Sequence, residues 1–315
     1  HLSIRRQRQM CIRDSWSTLR ECVDSAPGPD GIPYSFLKHY WPTFGPILLN
    51  TWKYSILINE LPPSHKVSYL RLIPKVGKDA RQIGNLRPIT LSNTDHKIIT
   101  KTYSKKITAL LDHQIGHEQA AYIPNRLIND NVRAMLMTMD LANVDNTVDG
   151  ILVSLDAKKA FDSVDHRYIR HCLNAFGLGN FIPIFDVLYK DLRSDIILNG
   201  NVVKGYNILK GVKQGDALSC IIFVMCIEPL IRNIKNNPEI ESIKSSKLNI
   251  PLPKVYGFAD DVNVIIKRTQ GGVQQIFREY ETFSKISGLM LNADKTELLH
   301  FRKNKQREIS LTITY

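Results

Sequence analysis

A chain of 315 residues, 43% of them hydrophobic, is long enough for one large multi-lobed domain or two ordinary ones. Its net charge of +12 points to a polyanionic partner, nucleic acid or an anionic membrane. The longest apolar run, "CIIFVMCI" at 220–227, falls well short of the about 20 residues that cross a bilayer, so no membrane span is expected and the chain is read as soluble.

The first fifteen residues, "HLSIRRQRQMCIRDS", lack the apolar stretch of a signal peptide. Part of them, "QMCIRDS", resembles translated adapter DNA, so residues 1–15 are set aside as a non-native leader. Without them the net charge is still +9. "SAPGPDGIPYSFLKHYW" opens with a turn cluster and then predicts an aromatic-rich helix from about Pro33. A strand over 67–74, a basic glycine-punctuated loop and a strand over 87–92 follow. Next comes a helix over 95–112, with Ile99, Tyr103, Ile107, Leu110 and Leu111 on one face.

"GILVSLDAKKAFDSVDHRYIRHCLNAFG" reads as a strand ending in Asp156 and a helix over 166–176 capped by Asp165. Cys220 and Cys226 lie in an apolar helical run, where small buried side chains are expected. With Cys11, Cys22 and Cys172 they make no CxxC pair and no zinc spacing, a pattern that fits a reducing setting. "VYGFADDVNVII" is a strand, a tight turn and a strand. A helix over 273–287 closes on Gly288, and strand-like "LMLN" and "ELLHF" follow. Strands alternate with helices but include a hairpin, so the fold class is α+β.

The chemistry gathers on carboxylates. Asp260 and Asp261 stand side by side at the tip of the hairpin, between runs that ask to be buried. Two bare carboxylates there repel each other and lose solvation, at a cost of several kcal/mol per ion. Alternation along "ILVSLD" puts Leu152, Ser154 and Asp156 on one strand face. A third acid joining the pair across a sheet would give a hard-oxygen cluster suited to Mg²⁺. Two such ions can clamp the attacking and leaving oxygens of a phosphoryl transfer. Read singly, each Asp could equally be a turn or cap residue.

Taken together, "LIPKVGKDARQIGNLRPITLSNTDHKIITK", "VSLDAKKAFDSVDH", "GVKQGDALSCIIFVMCIEPLI", "YGFADDVNVI" and "GLMLNADKTELLHF" resemble the reverse transcriptase of non-LTR (LINE-type) retrotransposons. The first is similar to the fingers motifs of that family and the others to palm motifs A to D, in the family's order. "APGPDGIPYSFL" resembles the extra N-terminal motif of LINE-type enzymes. The resemblance covers about residues 22–301. It implies a right-hand polymerase with fingers over 16–145, an antiparallel palm sheet with packed helices over 146–301, and the start of a truncated C-terminal region over 302–315, the thumb missing or truncated.

The same resemblance implies roles. Asp156, Asp260 and Asp261 match the catalytic, metal-binding acids, and Lys295 matches the motif D lysine proposed to protonate pyrophosphate. Lys75 and Arg87 match the fingers residues that hold the triphosphate. Phe161 falls five residues after Asp156, where the family carries an aromatic gate against the 2′-hydroxyl. Gln214 and Gly215 match motif B, while Ala217 and Cys220 stand where many relatives have proline. Arg126 in "YIPNR" is a candidate template contact. The implied cofactor is Mg²⁺, with Mn²⁺ as a substitute. The implied partners are an RNA template, a DNA primer and dNTPs, and the implied location is nuclear and cytoplasmic. Two alternatives stand beside an active polymerase, a decayed or domesticated RNA-binding relative and a group II intron-type enzyme. The intact set of acids, Gln-Gly pair and fingers cations speaks against the first, and the "APGPDG" and "FADD" wording speaks against the second.

Overall fold

A computed structural model of the chain describes residues 11–247 and 252–302, and the backbone of 305–308. The elements run α1 (Ile12–Arg20), α2 (Tyr34–His39), α3 (Trp41–Ile58), α4 (Pro63–Lys66), β1 (Val67–Pro74), β2 (Leu86–Leu91), α5 (Thr94–Leu111) and α6 (Ile128–Val144). They continue with β3 (Asp149–Leu155), α7 (Ala160–Ser163), α8 (His166–Ala175), α9 (Ile182–Tyr189), β4 (Arg193–Leu198), β5 (Asn201–Asn207) and α10 (Ala217–Asn236). Last come β6 (Val255–Phe258), β7 (Asp261–Lys267), α11 (Gln270–Ser287), β8 (Glu297–Arg302) and β9 (Lys305–Glu308). Helices and sheets are mixed, as the α+β reading expects.

By compactness the chain forms two units, each built from two separate segments. One unit holds residues 1–110 and 170–221, and the other holds 111–169 and 222–315.

The first unit carries a four-stranded sheet in the order β2-β1-β4-β5. Here β1 pairs antiparallel with β2 and parallel with β4. Its helical part is tied by aromatic contacts. Trp16 stacks on Trp41 at 6.0 Å, and the Trp52 indole donates to the Tyr103 hydroxyl at 3.0 Å. Helix α1 begins inside the segment set aside as a leader: the Cys11 sulfur accepts from the Asp14 N–H, and Ser15 is fully buried.

The second unit carries a five-stranded antiparallel sheet in the order β6-β7-β3-β8-β9. Strand β3 lies inside this sheet, and the sequence pattern shows why. Ile151, Val153 and Leu155 point to a face where none is more than 3% exposed. Leu152, Ser154 and Asp156 share the other, half-buried face. Helix α11 buries Val273, Ile276, Tyr280 and Phe283 at helical spacing and ends on Gly288, whose φ of +79° suits glycine.

Three expectations change in detail. "LMLN" forms only one bridge, between Leu291 and Ala157, because a 3₁₀ turn over Ala293–Lys295 ends the pairing at Asn292. Cys220 is half-exposed while Cys226 is buried. The apolar run at 220–227 belongs to α10, a 20-residue helix with an 18-residue stretch of mean hydropathy 1.8 that length and composition alone would let cross a bilayer. Of that stretch 72% is buried inside the fold, the behaviour of a core helix.

Candidate active site

Strand pairing brings the carboxylates together. Leu155 of β3 stands opposite Val262 of β7 in an antiparallel register, so one step further Asp156 faces Asp261. Side chains directly opposite in such a pair have Cβ atoms about 4.5–5.5 Å apart. Asp260 occupies the two-residue turn between Phe258 and Asp261, which pair with each other.

The electrostatics agree. Burial, followed by the charges of Asp261 and Asp156, holds the Asp260 carboxyl above the ordinary aspartate range. Partial burial and then the charge of Asp156 raise Asp261. No lysine or arginine pairs with any of the three among the described residues. Nor do three His, Cys, Asp or Glu side chains there close into a preformed cation cage. The result is an open array of hard oxygens with uncompensated charge. That donor set fits a divalent cation of the Mg²⁺ kind, which keeps waters and substrate oxygens in its shell.

The turn that presents Asp260 is strained and braced. Ala259 sits at φ +55°, a left-handed conformation that costs a residue with a Cβ on the order of 1–2 kcal/mol. The fully buried Gln119 holds it there. Its carbonyl oxygen accepts from the Ala259 N–H at 3.0 Å, and its amide donates to the Ala259 carbonyl at 3.3 Å. The backbone beside Gln119 extends the sheet, since Ala120 donates to Gly257 and Gly257 donates to Glu118. Gly257 admits this approach, because a Cβ there would lie 3.2 Å from the Gln119 amide nitrogen and 2.9 Å from Ile231. No local pattern marks Gln119, so sequence reasoning missed it.

Asn292 does for Asp156 what Gln119 does for the turn. Its side-chain amide donates to Asp156 Oδ2 at 2.7 Å, and its backbone N–H donates to the Asp156 carbonyl at 2.8 Å. Lys295 is exposed and stands three residues on, at the end of the 3₁₀ turn. Phe161 is half-exposed and stacks on the fully buried Phe223, with ring centroids 4.6 Å apart and planes 14° from parallel. It is thus neither a plain core residue nor a free one: one ring face is fixed and part of the side chain remains open.

Lys75, Arg87, Gln214 and Gly215 belong to the first unit. Register places Arg71, Ile73 and Lys75 of the β1 side on the same face of the hairpin as Arg87 and Ile89 of β2. Lys75 donates from its ammonium to the Gly84 carbonyl at 3.0 Å, while Arg87 is exposed. Gln214 accepts the Thr90 N–H on its carbonyl at 2.9 Å. Gly215 follows at φ +99°, and a Cβ there would press to 3.3 Å of the Thr90 carbonyl oxygen, so a larger residue is disfavoured twice.

Beneath this loop Lys213 and Asp216 are buried, 5% and 6% exposed. Burial pushes the Lys213 amine down to about 8, and burial raises Asp216, which also accepts the Leu218 N–H at the start of α10. A cavity of about 480 Å³ opens beside the loop, lined by Arg71, Ile89, Lys97, Lys101, Gly215 and Ala217.

Arg126, expected at the template, is engaged by its own loop. Its guanidinium donates to the carbonyls of Gly116, Gln119, Asp112 and Ile115. All five donors of an arginine lie in one rigid fork, and here most are spent on ordering residues 112–119.

Comparison with known proteins matches residues 73–313 to the family described as reverse transcriptase (RNA-dependent DNA polymerase). The chain is 29% identical over 287 residues to the transposon TX1 uncharacterized 149 kDa protein of Xenopus laevis, covering 88% of this chain and 22% of that protein. It is 27% identical over 301 residues to a retrovirus-related Pol polyprotein from the type-1 retrotransposable element R2 of Popillia japonica, covering 93% of this chain and 39% of that one. The chain therefore spans well under half the length of these relatives. Among solved structures, a telomerase from Candida tropicalis in complex with a TWJ fragment of telomeric RNA superposes with a TM-score of 0.54. The identity is 11%, over 85% of this chain and 45% of that one, a likeness of fold.

Proposed function

The chain belongs to the reverse transcriptase (RNA-dependent DNA polymerase) family, and from that premise we propose that it is the polymerase module of a non-LTR retrotransposon protein. It extends a DNA primer on an RNA template with dNTPs. In right-hand terms, the acid-bearing sheet of the second unit is the palm, and the β1–β2 hairpin belongs to the fingers. The observation that carries the reading is the register that sets Asp156 opposite Asp261, beside the braced Asp260.

Asp156 and Asp260 would hold the divalent ions, with Asp261 beside them. When bound, Mg²⁺ supplies positive charge to the attacking and leaving oxygens of the transfer. The primer 3′-hydroxyl gives up its proton to solvent as its oxygen forms a bond to the α-phosphorus, and the bond to the pyrophosphate oxygen breaks. Lys295 returns a proton to the departing pyrophosphate as a general acid. Lys75 and Arg87 hold the triphosphate, the ammonium as a point charge and the guanidinium as a bidentate donor. Phe161, backed by Phe223, excludes a 2′-hydroxyl by overlap. Gln214 and Gly215 bring backbone against the nucleotide, and the basic cavity beside them accepts the template strand. Most of the catalytic gain on this reading is positioning and charge stabilisation.

The test is incorporation of dTTP on poly(rA)/oligo(dT) with Mg²⁺, with Asp260→Ala as control. Incorporation that the variant loses supports the polymerase. Equal RNA binding by both proteins, with incorporation by neither, overturns it in favour of a non-catalytic RNA-binding relative.

A further inference from the structure

Asp156 is the one acid of the array that lies outside the β6–β7 hairpin. It lies one residue past the end of β3, just beyond the last pair of the β3–β7 ladder. A carboxylate there has rotamers to lose on binding a cation. The structure removes that freedom through a residue 136 positions away, Asn292. Its amide takes Oδ2 at 2.7 Å, and its backbone N–H takes the carbonyl of the same aspartate at 2.8 Å. One residue thus grips both the main chain and the side chain of Asp156. Lys158 donates to Met290 at 2.8 Å on the same short ladder. Asn292 then accepts the N–H groups of Lys295 and Thr296 on its own carbonyl, at 3.2 and 3.0 Å. The turn that carries Lys295 is therefore anchored on the residue that anchors Asp156.

The chemical consequence follows from the donor count. An amide N–H can only donate, so Oδ2 keeps one lone pair occupied and Oδ1 becomes the oxygen free for a cation. A neutral donor does this without adding charge. A lysine in its place would neutralise the array and compete with the ion, and an aspartate would repel its neighbour. We propose that Asn292 is a positioning residue for metal binding, fixing the Asp156 carboxylate so that Oδ1 meets the cation and registering the Lys295 turn against it. This deepens the polymerase reading and rests on Asp156 being a metal ligand.

Mn²⁺ titrated into the 315-residue chain, with free ion followed by electron paramagnetic resonance, tests the proposal without turnover. Asn292→Ala removes the donor, and Asn292→Leu removes it while keeping side-chain volume. Both keep the backbone clamp. Partners that orient a metal ligand typically contribute about tenfold or more in affinity, so both variants should bind Mn²⁺ about tenfold more weakly. At saturating metal their KM for dTTP should stay within about twofold of the parent, a split that general loosening of the site would not give. Asp156→Asn should lose the Mn²⁺ site altogether. If Asp156→Asn loses it while both Asn292 variants bind as the parent does, the role of Asn292 is overturned alone. If Asp156→Asn also binds as the parent does, the metal reading of Asp156 fails and the inference fails with it. Weakening in Asn292→Ala but not in Asn292→Leu assigns the effect to packing and overturns the hydrogen-bond argument.

Discussion

The two sheets of this molecule are built to opposite specifications. In the second unit the strands that carry acids are braced from both sides: Ile151, Val153 and Leu155 are buried behind β3, Gln119 clamps the hairpin turn and Asn292 clamps Asp156. In the first unit the β1–β2 and β4–β5 hairpins leave large apolar side chains open, with Val76 95% and Ile83 81% exposed. On the β1–β2 hairpin the ammonium of Lys75 touches one carbonyl and Arg87 lies in solvent. The contrast matches the two tasks of the proposed reaction. Ion ligation tolerates errors of a few tenths of an ångström, so its residues sit on a buried frame. Phosphate capture by long cations tolerates adjustment, so its residues sit on an exposed one.

The comparison breaks most sharply at the acids. Asp156→Asn and Asp260→Asn should each lower dTTP incorporation by about 10³-fold or more, the scale of removing preorganised charge stabilisation. Template–primer affinity should hold within about twofold, because the acids make no phosphate contact. Equal losses in binding and incorporation would show that the acid array is a folding element and not the reaction centre. Next in size, Phe161→Ala should lower discrimination against ribonucleotides by about a hundredfold, read as the ratio of rUTP to dTTP incorporation. Phe223 stacks under that ring, so Phe223→Leu should give a smaller change of the same sign. Unaltered discrimination in Phe161→Ala would reduce Phe161 to a packing residue.

The exposed frame should respond differently. Lys75→Ala and Arg87→Ala should each raise KM for dTTP about tenfold, the scale of one charge-assisted hydrogen bond, with smaller changes in kcat. These residues face solvent, so the penalty should shrink between 50 and 200 mM salt, whereas the loss in the acid variants should not. A salt-independent penalty at Lys75 would mean that this hairpin is as closed as the acid sheet.

How much of this was legible depends on the distance over which each residue acts. The face of β3 bearing Asp156 followed from alternation inside seven residues, and the end of α11 at Gly288 followed from one left-handed glycine. The hairpin around Asp260 was readable for the same reason: its pattern is local. The clamps were not. Gln119 acts on Ala259 across 140 positions, and Asn292 on Asp156 across 136. Neither polar residue stands out in its own neighbourhood, though Asn292 lies in the quoted "NADKTE". The bonds of Arg126 were hidden in the same way: a cation in a polar loop suggests an external anion and gives no sign that its guanidinium donates to backbone carbonyls of its own loop. The two compact units are not legible in a linear pass, because each is assembled from two separate segments.

The smallest expected effect concerns stability, and it runs against the loss of activity. Burial and neighbouring charges hold Asp260 above the ordinary aspartate range of 3.8. A raised folded-state value means that ionisation costs the fold more than the unfolded chain. Between the unfolded and folded values the folded protein binds more protons, so stability falls as pH rises through that window. Above that window the carboxylate is ionised in both states and the full cost is present. Asp260→Asn removes it, so the inactive variant should melt about 2–4 °C higher at pH 7. That gain should fade as pH drops toward the unfolded value, where the parent carboxyl is protonated anyway. Added Mg²⁺ should raise the parent's midpoint at pH 7 and leave the variant's nearly unchanged. A variant that melts lower than the parent at pH 7 would show that the Asp260 carboxylate is compensated within the fold, and the acid sheet would then need no cation to complete it.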